Sequence, residues 1–249
     1  MFFWKGEEGM FTYLYALLMG MVFGSFFMVI AMRVPVGESI ITPRSYCHYC
    51  KYTLQPKELI PIISFCMQKG RCTSCKRKIS SLYIVFEFVT GSLFFLTVYV
   101  IGIEQELIII LSLISLLLII SVTDLVYMLI PNRILIWFAF LLILECIFVP
   151  LVTWIDSIAG SGTIFILLYC MQKIHPAGLG GGDVKLLSLL GFIIGVKGIF
   201  ITLFLASCFS LCFFGIGIAL KRIKIRTPIP FGPFISLGAI CYVLVIYAK

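Results

Sequence analysis

A chain of 249 residues that is 61% hydrophobic and 12% charged, with a mean hydropathy of +1.15, cannot cover itself with a soluble surface. It reads as an all-α, polytopic membrane protein whose surroundings are the lipid bilayer. Its formal net charge of +8 does not make nucleic acid a partner, because the basic residues track membrane topology and lack interleaved stacking aromatics.

Apolar runs long enough for about 30 Å of hydrocarbon fall near residues 10–32, 82–101, 107–123, 134–153, 157–172, 184–196, 198–219 and 230–248. They give eight candidate helices. The first begins near Met10 with no small-residue cleavage site behind it, so it is expected to be retained. Only Lys197 and Gly198 separate the sixth run from the seventh, and one long kinked segment would read the same. The chain divides into an N-terminal region, 1–101, with two helices flanking a loop at 33–81, and a six-helix region, 102–249.

The 33–81 loop is polar, basic and rich in proline. It carries Cys47-x-x-Cys50 and Cys72-x-x-Cys75, with 21 residues between the pairs. Two such knuckles are the pattern of one tetrahedral four-thiolate zinc site, closed and therefore structural. Disulfides are the rival, and a reducing compartment opposes them. So short a polar segment has little core of its own, and zinc would stand in for one.

Charge sets the expected orientation. With the loop in the cytoplasm, Lys5, Lys197 and Lys249 are the basic residues left outside, of nineteen Lys and Arg in the chain. Asp124 then ends the third helix and Asp183 begins the sixth at the same cytoplasmic face. Asp183 follows Gly180-Gly181-Gly182 and reads alone as an N-cap. Asp124 resists that reading, because a helix C-terminus disfavours a carboxylate; a solvated loop aspartate is its plainer alternative. A carboxylate at the bilayer edge is a functional hypothesis by default.

Other polar residues take plainer readings. Glu145, mid-helix, is read as protonated or hydrogen-bonded between helices, and Glu87 as facing a polar pocket shared with the loop. Cys66, Cys146, Cys170, Cys208, Cys212 and Cys241 are read as buried small hydrophobes. His48 is not needed beside four thiolates, and His175 is read as a solvated loop residue.

Asp124-Leu-Val-Tyr-Met-Leu-Ile-Pro131-Asn132, the glycine run with Asp183-Val184-Lys185-Leu186-Leu187, and Pro230-Phe231-Gly232-Pro233 together resemble the type IV prepilin peptidases. Gly24-Ser25-Phe26, Arg33-x-Pro35, the double CxxC, Gly70-Arg71-Cys72 and Glu87 extend the likeness over nearly the whole chain. It is most similar to the competence-pilin leader peptidases of Gram-positive bacteria.

The resemblance implies a membrane aspartic endopeptidase that cuts the basic leader from prepilins and pseudopilins. Asp124 and Asp183 would be the catalytic pair, with Gly180, Gly182, Lys185 and Pro131 supporting the substrate and loop. It further implies eight helices, a cytoplasmic zinc loop, and in many members N-methylation by S-adenosylmethionine, for which Arg71 and Glu87 are the candidate residues. Where the family carries asparagine after Gly-Ser-Phe this chain has Phe27 and Met28, which bears on the methyltransferase half. The alternative from another class is an ion- or proton-coupled transporter with an intramembrane carboxylate pair.

Overall fold

An apolar stretch in hydrocarbon can satisfy its backbone only through its own helical ladder, and the computed structural model bears this out. It describes residues 7–47, 49–174, 180–221 and 229–248. The helices are α1 (Glu7–Arg33), the short α2 (Ile63–Met67), α3 (Leu82–Ile101), α4 (Glu106–Tyr127), α5 (Asn132–Phe148), α6 (Trp154–Ile174), α7 (Gly181–Ala219) and α8 (Gly232–Tyr247). Among the described residues, β-structure is limited to two isolated bridges, Tyr46 with Thr53 and Arg71 with Lys78. The segments Gly9–Val36, Leu82–Ile101, Glu106–Tyr127, Trp154–Ile174 and Gly181–Ala219 are long and apolar enough to cross a membrane. The protein is all-α and polytopic.

The chain forms two units, Met1–Gly102 and Ile103–Lys249. In the first, α1 and α3 run antiparallel along a seam of small residues. A Cβ on Gly20 would stand 2.8 Å from the Cα of Gly91, and one on Gly24 3.1 Å from the Cα of Glu87. Lipid offers no hydrophobic drive between helices, so such close backbone approach is what holds them. Tyr13 stacks edge-on against Phe95 and Tyr99 at the far end of the seam.

In the second unit α4 is the central helix, buried at nearly every position from Leu113 to Asp124. α6 and the start of α7 lie antiparallel: Gln172 is near Gly181, Gly160 meets Gly191, and Asp156 meets Gly195. At Gly195 the backbone leaves the helix, with φ 72° and ψ −178°, a region open to glycine and strained for other residues. The chain then reverses. Gly198 abuts Tyr242, and Gly238 abuts the backbone of Thr202 and Ala206, so the limb 196–219 runs back antiparallel to α8. An uninterrupted helix of 39 residues would be about 58 Å long, roughly twice the hydrocarbon.

The break corrects the expected boundary at Lys197 and Gly198: it lies at Gly195, and two helical limbs result. Its cap comes from another helix. Oδ1 of Asp156 accepts the N–H of Val196 at 3.2 Å, serving the new limb as an N-cap side chain would. α5 also ends at Phe148, short of the expected 153, because Pro150 cannot continue a helix; Trp154 then opens α6.

Two glycines of α6 make the packing testable. A Cβ on Gly160 would lie 2.4 Å from the Gly191 carbonyl oxygen, whereas one on Gly162 meets nothing within 4 Å. Gly160→Ala is expected to destabilise the fold by about 1–3 kcal/mol through overpacking, and Gly162→Ala to leave it unchanged or slightly firmer. Thermal unfolding of the two variants in detergent checks the difference.

Candidate functional site

Asp124 sits in the last turn of α4, where the helix's carbonyl ends oppose a negative group. A second helix compensates. The backbone N–H of Gly232, at the start of α8, donates to Oδ2 of Asp124 over 2.7 Å, and the aspartate is 6% exposed. The positive end of α8 thus faces the negative end of α4 across one carboxylate. A Cβ at position 232 would stand 2.9 Å from the same Oδ2, so glycine is what the approach admits. One turn on, the Ser236 hydroxyl lies 3.0 Å from the Leu117 carbonyl oxygen and 2.9 Å from that of Gly232, tying α8 to α4 a second time.

Asp183 occupies the first turn of α7, and its N–H donates to the Gly180 carbonyl at 3.1 Å. Its carboxylate leans over Gly180, where a Cβ would come within 3.0 Å of Oδ2. The residue before Asp183 packs on the connection that follows Asp124 out of α4, so the two carboxylates stand at the same end of the helix bundle. Gly182 sits against Ile130, with 2.8 Å between its Cβ position and that of the isoleucine. This seats α7 on the connection between α4 and α5, where Pro131 is buried and flanks α5 as its N-cap residue. The exposed Lys185 donates through Nζ to Oδ1 of Asn132 at 2.9 Å. Four elements, α4, α5, α7 and α8, therefore converge on the carboxylates.

Sequence reasoning did not single out the Gly232 N–H, Asn132 or Asp156. A Gly-Pro pair opening an apolar run was a usable helix-start signal, but nothing in it named Asp124 as the partner.

In the first unit the four cysteines come together, with their Sγ atoms all within 4.8 Å of one another. Cys47 to Cys75 is 3.8 Å and Cys50 to Cys72 is 3.9 Å. A tetrahedron with Zn–S bonds of about 2.3 Å has edges of about 3.8 Å, whereas a disulfide needs about 2.05 Å. The two knuckles repeat each other. In each, the first cysteine's N–H donates to the carbonyl five residues on and its carbonyl accepts from the lysine four residues on. Those lysines, Lys51 and Lys76, hold positive φ angles of 57° and 58°. The Cys50 backbone N–H, with that of Tyr49, holds the Cys47 thiol down to about 6 against burial. At Cys75 the Arg77 N–H favours the thiolate, but burial and the other three sulfurs prevail and push it up to about 11. Sulfurs this close resist becoming thiolates together, and a divalent cation removes that conflict.

Glu87 does not line the cavity that Arg71 lines. Arg71 lines an open cavity of about 630 Å³ with Lys57, Lys69, Lys76, Ser64 and Gln68. Glu87 is buried, and its Oε2 accepts the N–H of Ile62 at 2.9 Å, so it meets the loop through a backbone group. Met28 is fully buried. Glu145 is hydrogen-bonded between helices, Oε1 accepting the Ser112 hydroxyl at 2.8 Å. The cysteine expectation needs correction: Cys146 is buried, but Cys170 and Cys212 are exposed on apolar helices, because a thiol faces lipid as readily as core. His48 and His175 lie outside the described residues.

Comparison with known proteins agrees with this layout. Residues 18–101 match the model of the bacterial peptidase A24 N-terminal domain, and residues 111–216 that of the type IV leader peptidase family. A prepilin leader peptidase/N-methyltransferase of Bacillus subtilis (strain 168) is 40% identical over 90% of this chain and 90% of its own. One of Klebsiella pneumoniae is 33% identical over 76% of this chain and 88% of its own. A type 4 prepilin-like proteins leader peptide-processing enzyme of Escherichia coli O78:H11 is 30% identical over 89% of each chain. No solved structure matches. With relatives this similar along most of its length, the chain belongs to the type IV leader peptidase family.

Proposed function

We propose that this protein cleaves the basic leader from type IV prepilins or pseudopilins at the cytoplasmic face of the cell membrane, by aspartic catalysis at Asp124 and Asp183. The observation that carries the reading is the pairing: two carboxylates from different helices at one end of one bundle, Asp124 held by the Gly232 N–H and Asp183 leaning over Gly180 beside the α4–α5 connection. Like charges at close range share one proton. Gly232 donates to Asp124, which favours the ionised form there and leaves the proton with Asp183. Asp124 then draws a proton from the attacking water while Asp183 donates to the scissile carbonyl oxygen. Gly180, over which the Asp183 carboxylate leans, leaves room for an extended substrate backbone, Gly182 supports the loop by admitting Ile130, and Lys185, steered by Asn132, flanks the substrate's path. The positive-inside distribution of lysine and arginine supports the cytoplasmic placement, where the leader of a prepilin would lie.

The cysteine cluster is read as a structural zinc centre: the sulfur spacing fits, and four thiolates leave no open position. The N-terminal region, 1–101, is the proposed methyltransferase part. S-adenosylmethionine, when bound, supplies the methyl group. Arg71 and Lys76, which line the open cavity, suit its carboxylate. Glu87 would serve by holding the loop, since its Oε2 is engaged with Ile62.

Asp124→Asn and Asp183→Asn are each expected to lower leader cleavage by roughly 10³-fold or more, with the double variant no worse than either single. Mass spectrometry of a co-expressed prepilin reads this, and substantial processing by either single variant contradicts the assignment. The same spectra report methylation: an added methyl on the new terminus is expected, and its absence with S-adenosylmethionine in excess removes the transferase half alone.

Zinc analysis should find about one ion per chain, lost in the Cys47→Ser/Cys72→Ser variant. Protein abundance should fall before specific cleavage does. Cleavage per folded molecule that vanishes while abundance holds would mean that the centre acts at the site itself.

A further inference from the structure

Between Pro56 and Lys69 the first unit turns an apolar face outward. Leu59, Ile60, Ile63 and Met67 are 43%, 45%, 55% and 78% exposed. Ile63 and Met67, four residues apart in α2, lie on one side of that helix. Met67 lines the same open cavity as Lys57 and Lys69, so the apolar side chains stand beside cations. The carboxylate of this stretch, Glu58, is already spent on the Gln55 N–H at 2.7 Å and on the Thr73 hydroxyl.

One hydrogen bond fixes the depth of this face. Ile62, held at φ 60°, where a β-branched residue sits only under constraint, donates its N–H to Glu87. Glu87 lies in the second turn of α3, whose 20 residues match about 30 Å of hydrocarbon. It is therefore about 7 Å along the axis from the start of that span, and the backbone at Ile62 is carried to the same level. A second stretch is held in the same way. The guanidinium of Arg33, the last residue of α1, donates to the carbonyls of Ser39 at 3.1 Å and Pro43 at 2.8 Å, and leaves Ile41 85% exposed.

We propose that residues 59–67 are an interfacial element that inserts its apolar side chains into the leaflet from which α1 and α3 emerge, with Lys57 and Lys69 at the level of anionic phospholipid headgroups. An apolar face at the hydrocarbon boundary flanked by lysines is the arrangement by which a segment lies in a membrane surface. Each such cation strengthens attraction to an anionic leaflet by about five-fold. Glu87 sets the depth, the isoleucines and Met67 insert, and the lysines choose the lipid. The cysteine centre is thereby held against the bilayer at a second point besides the two helices.

The test uses the full-length protein carrying a photo-crosslinking amino acid at Met67 or, as reference, at Ser74, an exposed residue between Cys72 and Cys75. Each is reconstituted in vesicles of mixed phosphatidylcholine and phosphatidylglycerol and irradiated, and adducts are identified by mass. The expected result is a phospholipid adduct at Met67 several-fold above that at Ser74, enriched in phosphatidylglycerol relative to the vesicle. Lys57→Gln with Lys69→Gln should abolish that enrichment. Crosslinks from Met67 to peptides of residues 103–249, crosslinks to a second copy of the chain, or equal lipid yields at the two positions would each overturn the proposal.

Discussion

A carboxylate at the end of a helix in an apolar span is opposed twice, by the cost of leaving water and by the helix's own negative terminus. In this protein a single backbone donor answers both, the N–H of Gly232 reaching Asp124 at 2.7 Å. The bond requires the start of α8 to meet the end of α4 with no side chain between them, and Gly232 supplies that gap. Ser236 and the Leu117 carbonyl keep the same two helices in register a turn deeper.

Gly232 reaches the same end as Asp183 only because α7 is broken. Its first limb starts beside Asp124, and at Gly195 the chain turns and sends the second limb back. The turn exposes the N–H of Val196, which Asp156 accepts from α6. Two carboxylates in this unit thus receive backbone donors at helix starts: Asp156 secures the reversal at one end of the bundle, and Asp124 sits within the candidate site at the other. Glycines at 160 and 191 let α6 and the first limb of α7 approach closely enough for the Asp156 bond.

Much of this was legible in the sequence. The apolar runs gave the helices and the membrane class, because hydrocarbon leaves an apolar chain few alternatives. Cysteine spacing gave the four-sulfur cluster, since a knuckle is a local structure whose partner is another knuckle. What escaped was contact between distant segments. Gly232 and Asp124 are 108 residues apart, and no local pattern joins them. The break in α7 was placed at a charge and a glycine, Lys197 and Gly198, whereas backbone conformation put it at Gly195, whose chain neighbours Ile194 and Val196 are apolar and whose charged partner, Asp156, comes from another helix. Glu87 could be suspected of meeting the loop, but its partner is a backbone N–H, to which side-chain patterns are blind.

The central claim is that Asp124 and Asp183 work as one proton-sharing pair. The most direct measurement is the rate of leader cleavage against pH, with purified protein and a prepilin in the same vesicles. A coupled pair predicts a bell-shaped profile whose two limbs belong to the pair and not to either residue. A rate governed by one ionisation, rising to a plateau that persists into alkaline pH, would contradict it.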